Sequence, residues 1–521
     1  MEREEYSVGG IGLGAYSPAG NKSYSPDDIE GFLKRFQLHE ALKLLGELSH
    51  KWFFRQQGAY RRIQGIPISD YVLAYLAMRL IESSNDYRKY VMTPNDVLKA
   101  ADMYWGIPDP IEVEKGHSSD SCLIRLVSNQ LDYSRPIRNL LPRIFAIYRD
   151  LWPEVSKAVP IQKAIESISG LGIEDILVLC FSFSMRARTG FFRTYPDELT
   201  TDERIKDIFT RDKQQAFVDW VSCGYKKFRE LSKAELKKAP GPLYDKFRFN
   251  PLVRYPAIRT DRNPKPGHLP VHLLPVPRLL LERVTRGLYF ELSDYFKGSE
   301  KSNIFRTSFG YVFQEYVGAL LKDAIGEKYI LPELKYGKHN LDSTDWIVVQ
   351  GNRGILIEVK QSGLFLNAKT WGDLESIKQD LSKTVGKGVK QLWAFEQAIH
   401  SGRHEELKHL SHIKEVERII VTHDRSYLSN SILRDQIWKK FSEDKADVPK
   451  DFHWHLISID ELEDLLGMRD LILFDLLRKK RLDPDDDEMD FGDYLGRKYA
   501  DRYSPNAYLN RINEEFFSKF K

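Results

Sequence analysis

The sequence predicts a large all-α N-terminal domain followed by an α/β domain, in which a central mixed sheet is flanked by helices. From about residue 27 to 238, apolar residues recur at three- and four-residue spacing, which is typical of amphipathic helices. From about residue 304, short runs rich in β-branched residues alternate with helical stretches, which indicates a sheet covered by helices. A proline-rich stretch at 239–277 separates the two patterns.

These patterns divide the 521 residues into consecutive segments. We predict a flexible N-terminal arm (1–26), a helical domain for recognition or regulation (27–238) and a proline-rich connector with a lead-in helix (239–303). The α/β domain (304–468) and a helical C-terminal extension (469–521) follow.

Helix starts and strands can be placed more closely. Ser25-Pro26-Asp27-Asp28 and Thr93-Pro94-Asn95-Asp96 each combine a capping side chain, a proline and an acidic first turn, which predicts helix N-termini. Strands are predicted at 345–349, 354–360, 418–424 and 452–459, and 278–296 is predicted to be one helix.

Composition excludes several classes of protein. The three cysteines, Cys122, Cys180 and Cys223, form no CxxC pair, which speaks against a zinc ribbon and against a disulfide framework. Neither a signal-peptide core nor an apolar run of membrane-spanning length is present, so we expect a cytoplasmic protein that does not contact a membrane. The formal net charge of +3 neither requires nor excludes a nucleic-acid partner.

Charge is unevenly distributed along the chain. Basic residues outnumber acidic ones between Lys226 and Lys265, so this segment is a candidate nucleic-acid path, with a solvated helix face and linker as the alternative. The acidic run at 483–490 is expected to face water.

The chemistry is concentrated in TDWIVVQGNRGILIEVKQSG, at 344–363. A turn at QGNRG folds one strand back on the other, which can bring Asp345 close to Glu358. Because alternate side chains of a strand share a face, Glu358 and Lys360 point the same way. The other face carries Ile355, Ile357 and Val359, which can enter a core.

Two carboxylates and an amine on otherwise apolar strands suggest a metal site. Buried charge is costly unless it is paired or bound to metal, and carboxylates suit a hard cation such as Mg²⁺. Asp345 and Glu358 would bind the cation, the main-chain carbonyl of Val359 could complete its coordination, and Lys360 could act on a metal-activated water. The alternative is a plain salt bridge on an exposed strand.

Residues 305–466 resemble the PD-(D/E)XK nuclease superfamily, whose fold is restriction-endonuclease-like. The resemblance is carried by Asp345, Glu358 and Lys360, in the pattern of an aspartate, a turn and a Glu-Val-Lys strand. The sequence departs from the family pattern at Thr344, where a proline often precedes the aspartate.

The resemblance also implies roles for residues on two helices. Glu315 matches a glutamate that helps to hold the metal, and Gln391 matches a glutamine that follows the Glu-x-Lys strand. It implies an Mg²⁺- or Mn²⁺-dependent endonuclease that hydrolyses phosphodiesters in DNA, or less often RNA, and leaves a 5′-phosphate. Asp345 and Glu358 would bind metal with Glu315, and Lys360 would position the water.

Several alternatives stay open at this stage. A non-catalytic nucleic-acid-binding or sensor protein on a nuclease-like fold would keep these residues without cleavage, and a DNA-repair nuclease is a further possibility. By analogy of architecture we expect restriction or anti-phage defence, with a homo-oligomer or a partner defence protein. A zinc site is a weaker candidate, from the pair His400 and His404 or the pair His409 and His412, and His453 and His455 share a strand face.

Overall fold

The structure is a computed structural model that describes residues 6–8, 11–13, 22–54, 60–108, 139–194, 206–260, 270–298, 303–361, 382–425, 430–468 and 470–518. The protein is a mixed α/β protein with more helix than strand, which confirms the coarse fold class. The predicted flexible arm at 1–26 falls largely outside the described residues.

Helices dominate the first half of the chain. Both predicted helix starts are confirmed: the hydroxyl of Ser25 accepts from the N–H of Asp28, whose carboxylate accepts from the N–H of Ser25 at 2.8 Å, and Thr93 and Asp96 repeat the arrangement. The helices are Pro26–Leu33, Leu38–Ser49, Asp70–Ser83, Pro94–Trp105, Leu140–Ile144, Trp152–Glu154, Gln162–Ser169, Ile173–Arg186, Arg211–Val221 and Tyr225–Leu236, with π-helical turns at His50–Phe54 and Phe145–Leu151 and a 3-10 turn at Ala187–Thr189.

The prediction of an all-α domain at 27–238 was wrong, because short strands at 60–63, 66–69, 191–193 and 222–224 lie within it and pair with one another or with strands outside it. β1 (Tyr6–Val8) and β2 (Ile11–Leu13) form one hairpin, and β3 (Tyr60–Ile63) and β4 (Ile66–Ser69) form another. A four-stranded sheet has the order β5-β8-β7-β6, from β5 (Phe191–Arg193), β6 (Ser222–Gly224), β7 (Ala257–Arg259) and β8 (Val271–Leu273). Such strands are too short to show a period in the sequence.

The proline-rich connector contributes two strands of this sheet, β7 and β8, together with 3-10 turns at Pro242–Phe247 and Pro251–Val253. The helix predicted at 278–296 is divided at Thr285 into Arg278–Val284 and Arg286–Tyr295.

The second half is built on a five-stranded sheet. Its strands have the order β15-β14-β13-β12-β9, from β9 (Ile330–Pro332), β12 (Trp346–Gln350), β13 (Arg353–Lys360), β14 (Glu415–Thr422) and β15 (His455–Ser458), while β10 (Lys335–Tyr336) and β11 (Leu341–Asp342) form a separate hairpin. Helices in this half are Ile304–Ile325, Lys387–Ser401, Asn430–Glu443 and Ile459–Gly467, with 3-10 turns at Glu327–Tyr329 and Glu405–Leu410 and a π-helical turn at Ser382–Gly386.

Both strand directions occur in this sheet. β12 is antiparallel to both of its neighbours, β9 and β13. β13, β14 and β15 run parallel to one another. The turn between β12 and β13 begins at Gly351, whose φ of 63° favours glycine. A tight turn at this point sets the register of the two strands.

Two apolar layers cover the sheet. Ile355 and Ile357 enter a core with the helix Ile304–Ile325, as predicted, and Val359 packs against it. On the other face, Leu356, Ile347 and Ile420 pack with residues of the helix Lys387–Ser401.

The core on the first face joins the two halves of the chain. It contains apolar residues from 144–221 together with residues from 305–516, and the rings of Trp152 and Phe305 stack at 5.4 Å between centroids. A further core lies within residues 29–107 and 223–279. The helical segment therefore packs directly against the α/β unit.

The C-terminal extension contains the helices Leu473–Leu482, Pro484–Glu488, Phe491–Lys498 and Ala507–Ser518 and a 3-10 turn at Ala500–Arg502. The expectation that the acidic run 483–490 faces water was wrong in part. Asp487 pairs with Arg434 at 2.5 Å, and Asp490 pairs with Arg425 at 2.5 Å. Partners that lie far apart in sequence give no local signal of such pairing.

Within the described residues, no single helix combines the length and the apolar character needed to cross a membrane. One pair of helices, 162–169 and 173–189, bent by 45° at its break, meets that test jointly on length and composition alone.

Candidate active site

The hairpin of β12 and β13 places Asp345 beside Glu358. Trp346 is paired with Ile357 across the two strands. Asp345, which precedes Trp346, therefore lies across from Glu358, which follows Ile357. The N–H of Val359 donates to Oδ2 of Asp345 at 2.6 Å, which fixes this carboxylate against β13. The main chain of Val359 is thus held beside Asp345. This is where it must lie if the carbonyl of Val359 is to act as a metal ligand.

Lys360 joins the acids to a helix on the same face of the sheet. Its ammonium donates to Oε1 of Glu358 and, at 2.8 Å, to Oε1 of Gln391 on the helix Lys387–Ser401. The structure therefore brings Asp345, Glu358, Lys360 and Gln391 together.

A glycine lies where this helix packs against the sheet. A Cβ atom on Gly388 would lie 3.4 Å from Cε of Lys360 and 3.5 Å from Cγ of Glu358, which are ordinary contacts. It would also lie 3.2 Å from Cδ1 of Ile420, which is tighter than an ordinary contact. The absent side chain therefore avoids a close contact with Ile420.

Burial and like charge work against ionisation of the two acids. Glu358 is 2% exposed, and burial, followed by the charge of Asp345, raises its pKa to about 8, although Lys360 acts in the opposite direction. Burial also raises the pKa of Asp345, against the effects of the Val359 N–H and of Lys360. The site therefore holds more negative potential than one lysine offsets.

One atom of this site is left without a protein partner. Oε2 of Glu358 is buried, and among the described residues none forms a hydrogen bond with it. An unpaired buried carboxylate oxygen is unfavourable, so the arrangement suits a positively charged ligand.

Asp345 is also positioned from the opposite face, through its neighbour Trp346. The indole N–H donates to the carbonyl of Gln314 at 2.8 Å, and the ring lies over Gly318 of the same helix. A Cβ atom on Gly318 would come within 2.1 Å of the ring, so only glycine fits at this contact. The helix Ile304–Ile325 thereby fixes the start of β12.

The remaining predicted site residue, Glu315, lies on a helix that packs against the opposite face of the sheet. It is on the exposed side of the helix Ile304–Ile325, because Val312, Phe313 and Tyr316 fix the rotation of the helix by entering the core. In the part of the chain that the structure describes, no hydrogen bond or ion pair joins Glu315 to Lys360 or to the acids.

Sequence reasoning missed Glu333, which follows β9. Its charge contributes to the raised pKa of Glu358, so it lies within electrostatic reach of the site. The only sequence signal is an acid that directly follows a three-residue strand, and recognising it requires the strand pairing.

A second cluster contains the two histidines that share a strand face. Glu417, His453 and His455 each offer a ligand atom within 4.8 Å of the others. However, Arg481 donates to the Glu417 carboxylate at 2.9 Å, and Arg434 lies 2.8 Å from Nε2 of His453. Two guanidinium groups thus compete with a cation for these ligands.

The basic segment 226–265 is divided in its roles. Arg248 is buried and pairs with Glu82 at 2.6 Å, and Lys246 donates to the carbonyl of Ile107 at 3.0 Å. These two side chains serve the interior, whereas others are exposed; Arg262 and Lys265 lie outside the described residues. The exposed ones are Lys226, Lys227, Arg229, Lys233, Lys237, Lys238, Arg254 and Arg259. Of these, Arg229 donates to the carbonyls of Ile81 and Ser84.

Comparisons with known proteins give no match, whether with protein-family profiles, with curated sequences or with solved structures. The function of the chain is therefore inferred from its own residues.

Proposed function

We propose that this chain is a metal-dependent nuclease that hydrolyses phosphodiester bonds of nucleic acid, with DNA as the favoured substrate. The observation that supports this most is the buried, unpartnered Oε2 of Glu358 next to the carboxylate of Asp345. Oxygen ligands with excess negative charge suit Mg²⁺ or Mn²⁺, and the ion would relieve the repulsion between the two acids.

Each residue of the cluster has a proposed role. A bound divalent cation supplies a water of lowered pKa and offsets charge on the phosphoryl group. Asp345 and Glu358 would hold it, with the carbonyl of Val359 as a further ligand. Lys360 directs its ammonium towards the attacking water and towards developing negative charge, and Gln391 keeps that ammonium in place by accepting a hydrogen bond from it.

We also propose that the five-stranded sheet is a restriction-endonuclease-like core. In support, antiparallel strands carry the acidic pair, parallel strands extend the sheet, and helices cover both faces. This arrangement fits the resemblance of residues 305–466 to the PD-(D/E)XK superfamily. A role in restriction or anti-phage defence, with the helical segment as recognition or regulatory part, rests on architecture alone.

The test is cleavage by the full chain. Wild type and Lys360→Ala are incubated with plasmid, linear DNA and RNA in Mg²⁺, Mn²⁺ or EDTA, and the products are resolved on gels. We expect metal-dependent cleavage by wild type and a loss of about 10²–10³-fold in Lys360→Ala, the usual effect of removing one transition-state contact. Lys338→Ala, which removes an exposed lysine from a turn, is the matched control.

The same experiment separates the alternatives. Nucleic-acid binding by wild type without cleavage in any metal would favour a non-catalytic binding protein. Equal cleavage by wild type and Lys360→Ala would place the chemistry elsewhere and reject this site.

A further inference from the structure

We propose that Glu333 supplies a third carboxylate to the divalent-cation site of Asp345 and Glu358. This inference rests on the proposed function, because it assumes that those two acids hold a cation. It adds a ligand from the residue that directly follows a third strand, at a position for which neither the sequence pattern nor the resemblance provides a role.

The strand pairing brings Glu333 next to Asp345. The ladder between β9 and β12 ends at the pair Pro332–Trp346. The next backbone bond along these strands runs from the N–H of Ser343 to the carbonyl of Leu334, at 2.9 Å. Glu333 alone therefore lies across from Thr344 and Asp345, so two residues oppose one, as in a β-bulge.

This register aligns three acids across adjacent strands. Asp345 lies across from Glu358 on one side and across from Glu333 on the other. Paired strands are about 4.8 Å apart, so the outer acids are separated by two such steps, a span that two glutamate side chains can bridge through a shared ion.

The chain around Glu333 also borders this face of the sheet. Leu331 and Leu334, which lie on either side of Glu333 in sequence, both pack against the core on the side of the helix Lys387–Ser401. That side of the sheet also carries Glu358 and Lys360.

A further observation points to a cation rather than to a chance group of acids. Oε2 of Glu358 is buried, and no hydrogen-bond partner for it is found among the described residues, so it is available to an ion.

Exposure gives a route into the site. Glu333 is exposed, Asp345 is half-buried and Glu358 is buried, while β9 is the edge strand of the sheet. An incoming hydrated cation can meet Glu333 first and exchange waters for the inner carboxylates afterwards. An ion that keeps several waters, such as Mg²⁺ or Mn²⁺, suits such a graded site.

The test measures metal binding directly. The full-length chain is titrated with Mn²⁺, and free Mn²⁺ is followed by electron paramagnetic resonance for wild type, Glu333→Gln, Asp345→Asn and Glu315→Gln. We expect Glu333→Gln to weaken the affinity about tenfold and to weaken it more than Glu315→Gln does, because each lost charge lowers the affinity of an oxygen site. Glu327→Gln, an exposed glutamate ahead of β9, is the control and should bind as wild type does.

The outcomes separate this proposal from the one it rests on. If Asp345→Asn loses Mn²⁺ but Glu333→Gln binds as wild type, the role of Glu333 is rejected and the two-acid site stands. A loss in Glu315→Gln without a loss in Glu333→Gln assigns the third ligand to the helix and also rejects it. If wild type binds no Mn²⁺, the proposed metal-dependent function fails, and the role of Glu333 fails with it.

Discussion

The backbone N–H of Val359 donates a 2.6 Å hydrogen bond to the carboxylate of Asp345. This bond holds an acid at the start of β12 against the strand that carries Glu358 and Lys360. Two carboxylates are thereby kept close together, although burial raises the pKa of each and the charge of Asp345 raises the pKa of Glu358 further. Repulsion between these two acids lowers the stability of the free protein, and a bound cation would offset it. Such a site therefore favours ligand binding at the expense of stability.

The first prediction follows from this repulsion. Asp345→Asn removes one negative charge and can keep the bond from Val359 through its amide oxygen, so in EDTA its melting temperature should equal or exceed that of wild type. Added Mg²⁺ should stabilise wild type and leave the variant unchanged, because ligands stabilise the state that binds them. Thermal melting with EDTA and with Mg²⁺ measures both effects.

A clear destabilisation of Asp345→Asn in EDTA would contradict this expectation. It would mean that Asp345 serves mainly as an ion-pair partner of Lys360, as in the alternative of a plain salt bridge.

The second prediction concerns the contact between Gly318 and Trp346. Gly318→Ala forces the indole away from the helix, because its Cβ would meet the ring at 2.1 Å. Overpacking of this kind costs about 1–3 kcal/mol, and the displaced strand start should also lower cleavage. Urea unfolding and the plasmid assay measure the two losses.

Gly310→Ala is the matched control, in the same helix. Its Cβ would lie 3.7 Å from the side chain of Gln361, an ordinary contact. Alanine is favoured over glycine inside helices by about 1 kcal/mol, so this variant should be as stable as wild type or more stable. Equal losses in both variants would show that the helix tolerates no added atom and that the Trp346 contact is not special.

Part of the site can be read from local sequence. The alternation of Ile355, Ile357 and Val359 with Glu358 and Lys360 is a period of two, which fixes the faces of β13 without knowledge of the rest of the chain. The turn at Gly351 similarly indicates which strands pair. Both features depend on neighbours only a few residues apart.

Other features depend on distant parts of the chain. Glu333 becomes a neighbour of Asp345 only through the change of register between two ladders. The exposure of Glu315 follows from the rotation of its helix, which is set by packing against residues far away in sequence. The ion pairs of Asp487 and Asp490 likewise involve partners more than fifty residues away.

The third prediction concerns Arg143, which links the helical segment to the helix after β15. Its guanidinium donates to Glu463 at 2.6 Å and also pairs with Asp460, and all three side chains are buried. Arg143→Met removes the buried cation that pairs with both carboxylates, so the free energy of unfolding should fall by about 3–5 kcal/mol. Urea unfolding measures this loss.

A double variant tests whether the cost arises from the uncompensated charge. Adding Glu463→Gln to Arg143→Met removes one buried carboxylate and keeps an acceptor for the hydroxyl of Tyr316, which donates to Glu463 at 2.6 Å. The double variant should be more stable than Arg143→Met alone. If it is less stable, lost packing of the arginine side chain explains the effect instead.

The last prediction is a pH dependence of stability that arises from His455. Burial lowers the pKa of this imidazole to about 4, although Glu417 acts in the opposite direction. Above pH 6.5 the ring is neutral in both the folded and the unfolded chain, so it has no effect on the pH dependence. Between pH 6.5 and about 4 only the unfolded chain takes up the proton, so stability falls by up to about 1.4 kcal/mol per pH unit.

Replacing the ring removes this proton uptake. His455→Gln cannot be protonated, so its free energy of unfolding should decline less steeply than that of wild type between pH 6.5 and 5, whatever its stability at pH 7. Urea unfolding at pH 7, 6 and 5 gives the slopes, and His412→Gln, at an exposed position, is the control. If His455→Gln and wild type have parallel slopes, then His455 is protonated in the folded protein as readily as in the unfolded chain. Its contact with Glu417 would then outweigh the burial of the ring.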